Sequence, residues 1–152
     1  MDEGIRRNIL KLLDQNRIMT VATVRPDGWP QATTVGYVNE GLLLYFLCGK
    51  DSQKAANLAH DNRVSLTIGQ DASQLMQIEG LSMAARAEAV TDQSEAEKVL
   101  AKLPNKYPQQ TGLTIAMPKP EDIRIFRVTP TVISVLDYSK GFGHTDLVTV
   151  GD

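Results

Sequence analysis

The sequence predicts a mainly β protein: an antiparallel barrel of about six to seven strands with about three helices at its periphery. Three observations carry this. Short apolar, β-branched runs recur at IMTVATV, LLLYFL, RVSLTIG, IRIFRV and TVISVL. The first connections between such runs are too short for the crossovers that parallel strands need. So many strands with so few helices favour closure, which removes exposed strand edges.

The elements follow in order. Ile5, Ile9, Leu12 and Leu13 repeat at helical spacing behind Asp2, a suitable N-cap, and predict an amphipathic helix over 3–15. The strand at 18–24 meets Arg25-Pro26-Asp27-Gly28, where Pro presets one turn angle and Gly accepts a positive φ. Trp29 and Pro30 open a second strand reaching about Val38, with Pro30 tolerable at a strand start or edge. Asn39-Glu40-Gly41 turns the chain into LLLYFL at 42–47, apolar on both faces like a strand that is covered twice. A Gly-Lys-Asp-Ser corner leads into a short helix over 52–60. RVSLTIG at 63–69 points Val64, Leu66 and Ile68 inward. After the polar QDASQ, Met76 to Val90 reads as a long bent strand, in which Gly80 marks a bulge or a close approach to the backbone. Thr91 or Asp92 caps the next helix with Glu95 in a capping box, Ala96, Val99, Leu100 and Leu103 form its stripe, and Pro104 ends it. Residues 105–120 read as loop with an extended piece at LTIAM, and two strands follow at 123–128 and 131–136, separated by Thr129-Pro130.

A chain of 152 residues fits one domain, 1–152. Its 42% hydrophobic and 22% charged content excludes disorder and fibrous repeats. With 16 basic against 18 acidic residues, dispersed along the chain, neither nucleic acid nor a membrane surface is indicated as a partner. Cys48 is the one cysteine, which excludes an internal disulfide and a cysteine-built zinc site and fits a reduced, cytoplasmic setting. MDEGIRRNILKLL is too charged for a signal peptide, and no run of ~18 apolar residues exists, so a soluble, unprocessed protein is expected.

Chemistry is sparse. No HExxH or other cluster of His and carboxylates suggests a metal. His60, beside Asp61 at a helix end, reads as a surface residue, and His144 in GFGHTD as a loop histidine. Cys48 reads as a buried small hydrophobe. No residue stands out as catalytic. The informative stretch is LLLYFLCGKDSQKAANL, which runs from a strand into a helix start. There Ser52 and Lys54 add a hydroxyl and a cation to unpaired N–H groups and a favourable dipole, the makings of an anion cradle. The same pair reads equally as an N-cap and a solvated lysine. Thr33 and Thr34 place hydroxyls on a strand near Phe46 and Leu47, although threonine is also simply a good strand residue. Gln77 is a polar residue entering the long strand, directed either at solvent or at a ligand.

In combination, PDGWPQATTVGYV, EGLLLYFLCGKDSQKAANLAHDNRVSLTIG and MQIEGLSMAARAEAV resemble the pyridoxamine 5′-phosphate oxidase-like family of flavin-binding split β-barrels. The resemblance covers residues 17 to 103, with an echo in IRIFRVTPTVISVLDY. Its most specific part is Ser52-Gln53-Lys54-Ala55 followed by Asn62-Arg63-Val64-Ser65-Leu66. It implies an FMN groove between the two subunits of a homodimer, with the phosphate held by Ser52, Gln53 and Lys54. The ring would lie along the backbone of Thr33, Thr34 and Val35, flanked by Phe46 and Leu47, and Gln77 would touch the ring or the partner subunit.

Two charges expected in that family are missing, because Gln53 and Thr33 stand where the oxidase has arginines; Lys50 is the available stand-in. Val38 replaces its substrate lysine, and VLDYSKGFGHTDLV lacks its C-terminal substrate motif. The resemblance therefore implies a flavin-dependent oxidoreductase acting on an unidentified small molecule rather than a vitamin B6 oxidase, similar to the general-stress-protein branch. F420 or FAD in place of FMN, a non-enzymatic flavin carrier or sensor, and haem binding through His144 are the alternatives that it leaves open.

Overall fold

Asp2 accepts the Ile5 N–H at 3.0 Å and starts α1, Glu3–Gln15, whose Ile9, Leu12 and Leu13 are buried. The structure is a computed structural model that describes residues 1–108 and 119–150. β1 (Ile18–Val24) and β2 (Pro30–Gly36) form the expected hairpin: Gly28 N donates to Arg25 O at 2.8 Å, and Gly28 has φ 87°. The predicted second strand is interrupted at the fully buried Tyr37, whose hydroxyl donates to Leu13 O (2.7 Å) and Asn16 O (2.9 Å), so Val38–Glu40 forms a separate β3. Then come β4 (Leu43–Gly49), α2 (Gln53–His60), β5 (Arg63–Gly69), β6 (Glu79–Ala89), α3 (Gln93–Lys106), β7 (Ile123–Asp137) and β8 (Thr145–Thr149).

These eight strands form one curled antiparallel sheet in the order β2-β1-β5-β6-β7-β4-β3, with β8 beside the second half of β7. The mainly β split-barrel expectation holds. Met19, Val21, Leu44, Phe46, Val64, Leu66, Ile68, Leu81, Met83 and Val128 point into one core, and α1 closes it against β5 and β6. β4 is covered on both faces as its sequence suggests. Leu44 and Phe46 face the core, with Phe46 stacked on Phe126 at 5.5 Å, while Leu43, Tyr45 and Leu47 face α3.

Several boundaries differ from expectation. The two last predicted strands are one 15-residue strand. Pro130 passes through because the register of β6 slips between Ala84 and Ala85 opposite it, the kind of irregularity that accommodates a residue without an N–H. Gly80 marks the close approach instead: a Cβ there would lie 2.6 Å from the Ile68 carbonyl oxygen. The long strand begins at Glu79 because Leu75–Gln77 forms a 3₁₀ turn. Pro104 lies inside α3, which continues to Lys106, where Lys106 Nζ donates to Leu13 O at 2.7 Å. Asp92 caps α3 through Ser94 N, and Glu95 is not part of a capping box. Its carboxylate instead accepts from Arg127 Nη1 (2.7 and 2.9 Å) and Tyr45 Oη (2.8 Å), fixing α3 to the outer face of β4 and β7. Burial and that Glu95 bond push the Tyr45 hydroxyl up to about 12. The extended piece expected at LTIAM lies outside the described residues.

Candidate functional site

The hydrogen-bonded order of the sheet ends at β2 on one side and at β4 with the short β3 on the other. β2 pairs only with β1, and β3 covers the neighbouring edge of β4 only as far as Tyr45. Beyond it, Phe46 to Gly49 have β7 on one side and, among the described residues, no ladder on the other. β2 and β4 nevertheless lie near each other. The result is a seam with two strand edges facing one another, each carrying backbone N–H and C=O groups not used in pairing.

Thr33, Thr34 and Val35 lie on β2, and Phe46 and Leu47 lie on β4 beyond Tyr45, where β3 no longer pairs with it. Alternation sorts their side chains. Gln31, Thr33 and Val35 stand opposite Thr23, Val21 and Met19 and share their inward face, while Thr34 is exposed on the outer face. The Phe46 side chain is fully buried in the core and Leu47 sits under α3, so both offer the seam their backbone. Thr33 Oγ1 is buried with no hydrogen-bond partner among the described residues. A buried hydroxyl without a partner costs about 1–3 kcal/mol. An orphan of this kind at the rim of a seam fits a ligand that accepts from it or donates to it.

The corner after β4 closes one end of the seam. Ser52 Oγ donates to Gly49 O (2.7 Å) and accepts from Ala55 N (3.2 Å), so the hydroxyl works as the N-cap of α2. Lys50 and Lys54 form no ion pair among the described residues, and no acidic residue lies in the first turn of the helix. The helix start thus presents unpaired N–H groups between Lys50 and Lys54, with Asp51 just before the cap, an arrangement that can receive an anionic group.

Gln53, expected at the phosphate, is turned along the helix. Its Nε2 donates to Asn57 Oδ1 at 2.8 Å, and Asn57 Nδ2 donates to Thr23 Oγ1 (2.9 Å) and Gln31 Oε1 (3.0 Å). This network sets the start of α2 beside Gln31, two residues from Thr33 on the same face. Sequence reasoning missed Asn57, which is 0% exposed. The available signal was an asparagine in a helix interior, between Ala55 and Leu58, where its side chain competes with the helix backbone unless a specific partner holds it.

Gln77 lies elsewhere. It ends the 3₁₀ turn Leu75–Gln77 between β5 and β6, at the far end of β5 from His60. His144 shares that far end through the Asp137 N–His144 O and Tyr138 N–Ile78 O bonds, and its Nε2 lies 3.3 Å from Asp146 Oδ1. His60 is exposed. Among the described residues no group of three or more His, Cys, Asp or Glu could hold a metal, and no helix is long and apolar enough to cross a membrane.

Comparison with known proteins bears on this geometry. No curated protein sequence matches the chain. A conserved hypothetical protein from Mycobacterium tuberculosis is 28% identical, with a TM-score of 0.74 over 100% of this chain and 93% of that one. General stress protein 26 from Bacillus anthracis is 17% identical, with a TM-score of 0.68 over 97% of this chain and 99% of its own. A heme binding protein from Mycobacterium smegmatis is 20% identical and has a TM-score of 0.69, with 95% of this chain covering 56% of that one. The last two likenesses are of fold. The sequence profile described as pyridoxamine 5′-phosphate oxidase matches residues 5–137, the stretch that builds the curled sheet, the seam and α2, and the chain belongs to that family.

Proposed function

We propose that the protein binds a flavin, FMN first, in the seam between β2 and β4 and works as a homodimeric flavin-dependent oxidoreductase on a small molecule. The observation that carries this reading is the seam itself: two unpaired strand edges side by side, ending on an anion-favouring helix start. Membership of a family that generally binds flavin supports it. The residues fit such a group. Those backbone groups of Thr33 to Val35 and of Phe46 to Leu47 that point away from β1 and β7 have no ladder partner among the described residues and can meet the polar edge of a flat ring. Thr33 Oγ1 gains the partner it lacks. Lys54, Lys50 and the N–H groups behind Ser52 meet the phosphate.

A bound flavin supplies the redox chemistry, and the protein binds and orients it. The Gln53–Asn57–Gln31 network fixes the angle between helix start and strand, so the phosphate end is set before ligand arrives. With the neutral Gln53 and Thr33 standing where the oxidase has arginines, the phosphate is held by fewer side-chain cations, and the affinity for FMN is modest. A second subunit covers the open side of the seam, where a residue of the far end such as Gln77 reaches the ring.

The test is the absorbance spectrum of the purified protein, identification of any ligand released on denaturation, and parallel titration with FMN, FAD and F420. A flavin band or saturable FMN binding supports the reading, and Lys54→Ala should weaken that binding about tenfold. A Soret band in place of a flavin band, or no saturable binding of any of the three, overturns it. Sedimentation as a monomer at micromolar concentration overturns the two-subunit site.

A further inference from the structure

On the side of α2 away from the seam, the end of the barrel is not filled. Elsewhere the inward positions carry Leu, Met, Ile and Phe packed into one core. At this end they become small. Ala87 and Ala89 of β6 and Ala55 and Ala59 of α2 leave an open groove of about 980 Å³ beside Phe126. Ala55 and Ala59 each stand two positions from Asn57, which places them on the helix face opposite the Gln31 network.

One cation is built into this groove. Arg124 stands opposite Cys48 in the β4–β7 ladder, two residues before Phe126 and on the same face. Among the described residues its guanidinium makes one hydrogen bond, to the Ile123 carbonyl oxygen at 3.3 Å, and no ion pair. Lys50 is held at the same opening by its backbone N–H, which donates to Asp122 O at 2.9 Å. Of the acids that line the groove, Asp61 is committed to Arg63 at 2.7 Å, while Asp51 and Glu88 stand at its rim with no ion pair among the described residues. The alanines beside Phe126 form an apolar strip within a polar rim, and that strip with the Arg124 guanidinium at one edge suits a small molecule with a flat apolar body and one carboxylate.

We propose that this groove, which adjoins the phosphate end of the seam at Lys50 but shares none of the residues assigned to the ring, is a second binding site for a small aromatic carboxylate. The ring lies on the alanine floor beside Phe126, and the carboxylate pairs with Arg124. The proposal does not depend on which flavin, if any, occupies the seam.

Titration of the full chain with benzoate, followed by backbone amide resonances, tests it, with benzamide as the neutral control. Benzoate should shift the amides of Ala59, Ala89 and Arg124 saturably and leave Thr33 and Val35 unmoved. Benzamide should bind at least about tenfold more weakly, and Arg124→Gln should cost benzoate a similar factor. Ala59→Leu and Ala89→Leu, which fill the groove from two elements, should each abolish binding while the other amides keep their native positions. No saturable shift up to about 10 mM, equal binding of benzamide, unchanged binding by Arg124→Gln, or shifts centred on the seam would each overturn it.

Discussion

Asn57 Nδ2 lies 3.0 Å from Gln31 Oε1, joining the middle of α2 to the start of β2 across 26 residues of sequence. The same amide nitrogen holds Thr23 Oγ1 at 2.9 Å, and its oxygen accepts from Gln53. Removing it leaves three polar side chains at a buried joint. Asn57→Ala should lower the stability by about 2–4 kcal/mol in urea denaturation. A loss below about 0.5 kcal/mol would mean that the network does not position the helix.

Thr33 separates ligand binding from folding. Valine has nearly the same shape and removes the buried hydroxyl that lacks a partner. Thr33→Val should leave the ligand-free protein as stable or more stable by up to about 1 kcal/mol, and should weaken flavin binding about tenfold. Parallel melting and flavin titration check both halves. A destabilised variant with unchanged affinity would place the hydroxyl in the fold rather than in the site.

Gly80 is required by contact, not by backbone angle. A Cβ at this position meets the Ile68 carbonyl oxygen at 2.6 Å and Gly69 Cα at 3.5 Å. Gly80→Ala should push β5 and β6 apart at that point and cost about 1–3 kcal/mol, read as a lower thermal midpoint. An unchanged midpoint would show that the strand pair gives way freely.

Glu95 makes a pH prediction. Its bonds to Arg127 and then to Tyr45 hold its carboxyl below the usual 4.5. A depressed folded value contributes stability that is fully present above the unfolded value and is lost as pH falls through the folded one. Wild type should therefore exceed Glu95→Gln in urea midpoint at pH 7, and the gap should narrow steadily below about pH 4.5. A gap that is constant from pH 7 to about pH 3 would contradict the charge-assisted pairing.

What the sequence revealed, and what it hid, follows from local and non-local physics. α1, the first hairpin and β5 are written in local spacing: Asp2 with Ile9 and Leu13, Pro26 with Gly28, Val64 with Leu66 and Ile68. The site corner was legible because a strand runs directly into a helix start at Ser52. What was hidden depends on distant partners. Tyr37 breaks the second strand to reach Leu13 in α1 and its C-cap Asn16, Glu95 leaves its cap for Arg127, and Gln53 turns to Asn57, itself held from β1 and β2. β8 went unpredicted because TDLVT follows a glycine-rich turn, and its pairing with Val132–Leu136 arises only where β4 has left the edge of β7. Gln77, expected at the ring or the partner subunit, ends the 3₁₀ turn Leu75–Gln77 that precedes β6.

The central claim is that ligand lies in the seam between β2 and β4. Titration of the purified protein with FMN, followed residue by residue through backbone amide resonances, tests it most directly. The account predicts saturable shifts at Thr33, Val35, Phe46 and Leu47 together with Ser52 to Lys54, at one FMN per chain. Saturable shifts confined to other strands, or none at all, would contradict it.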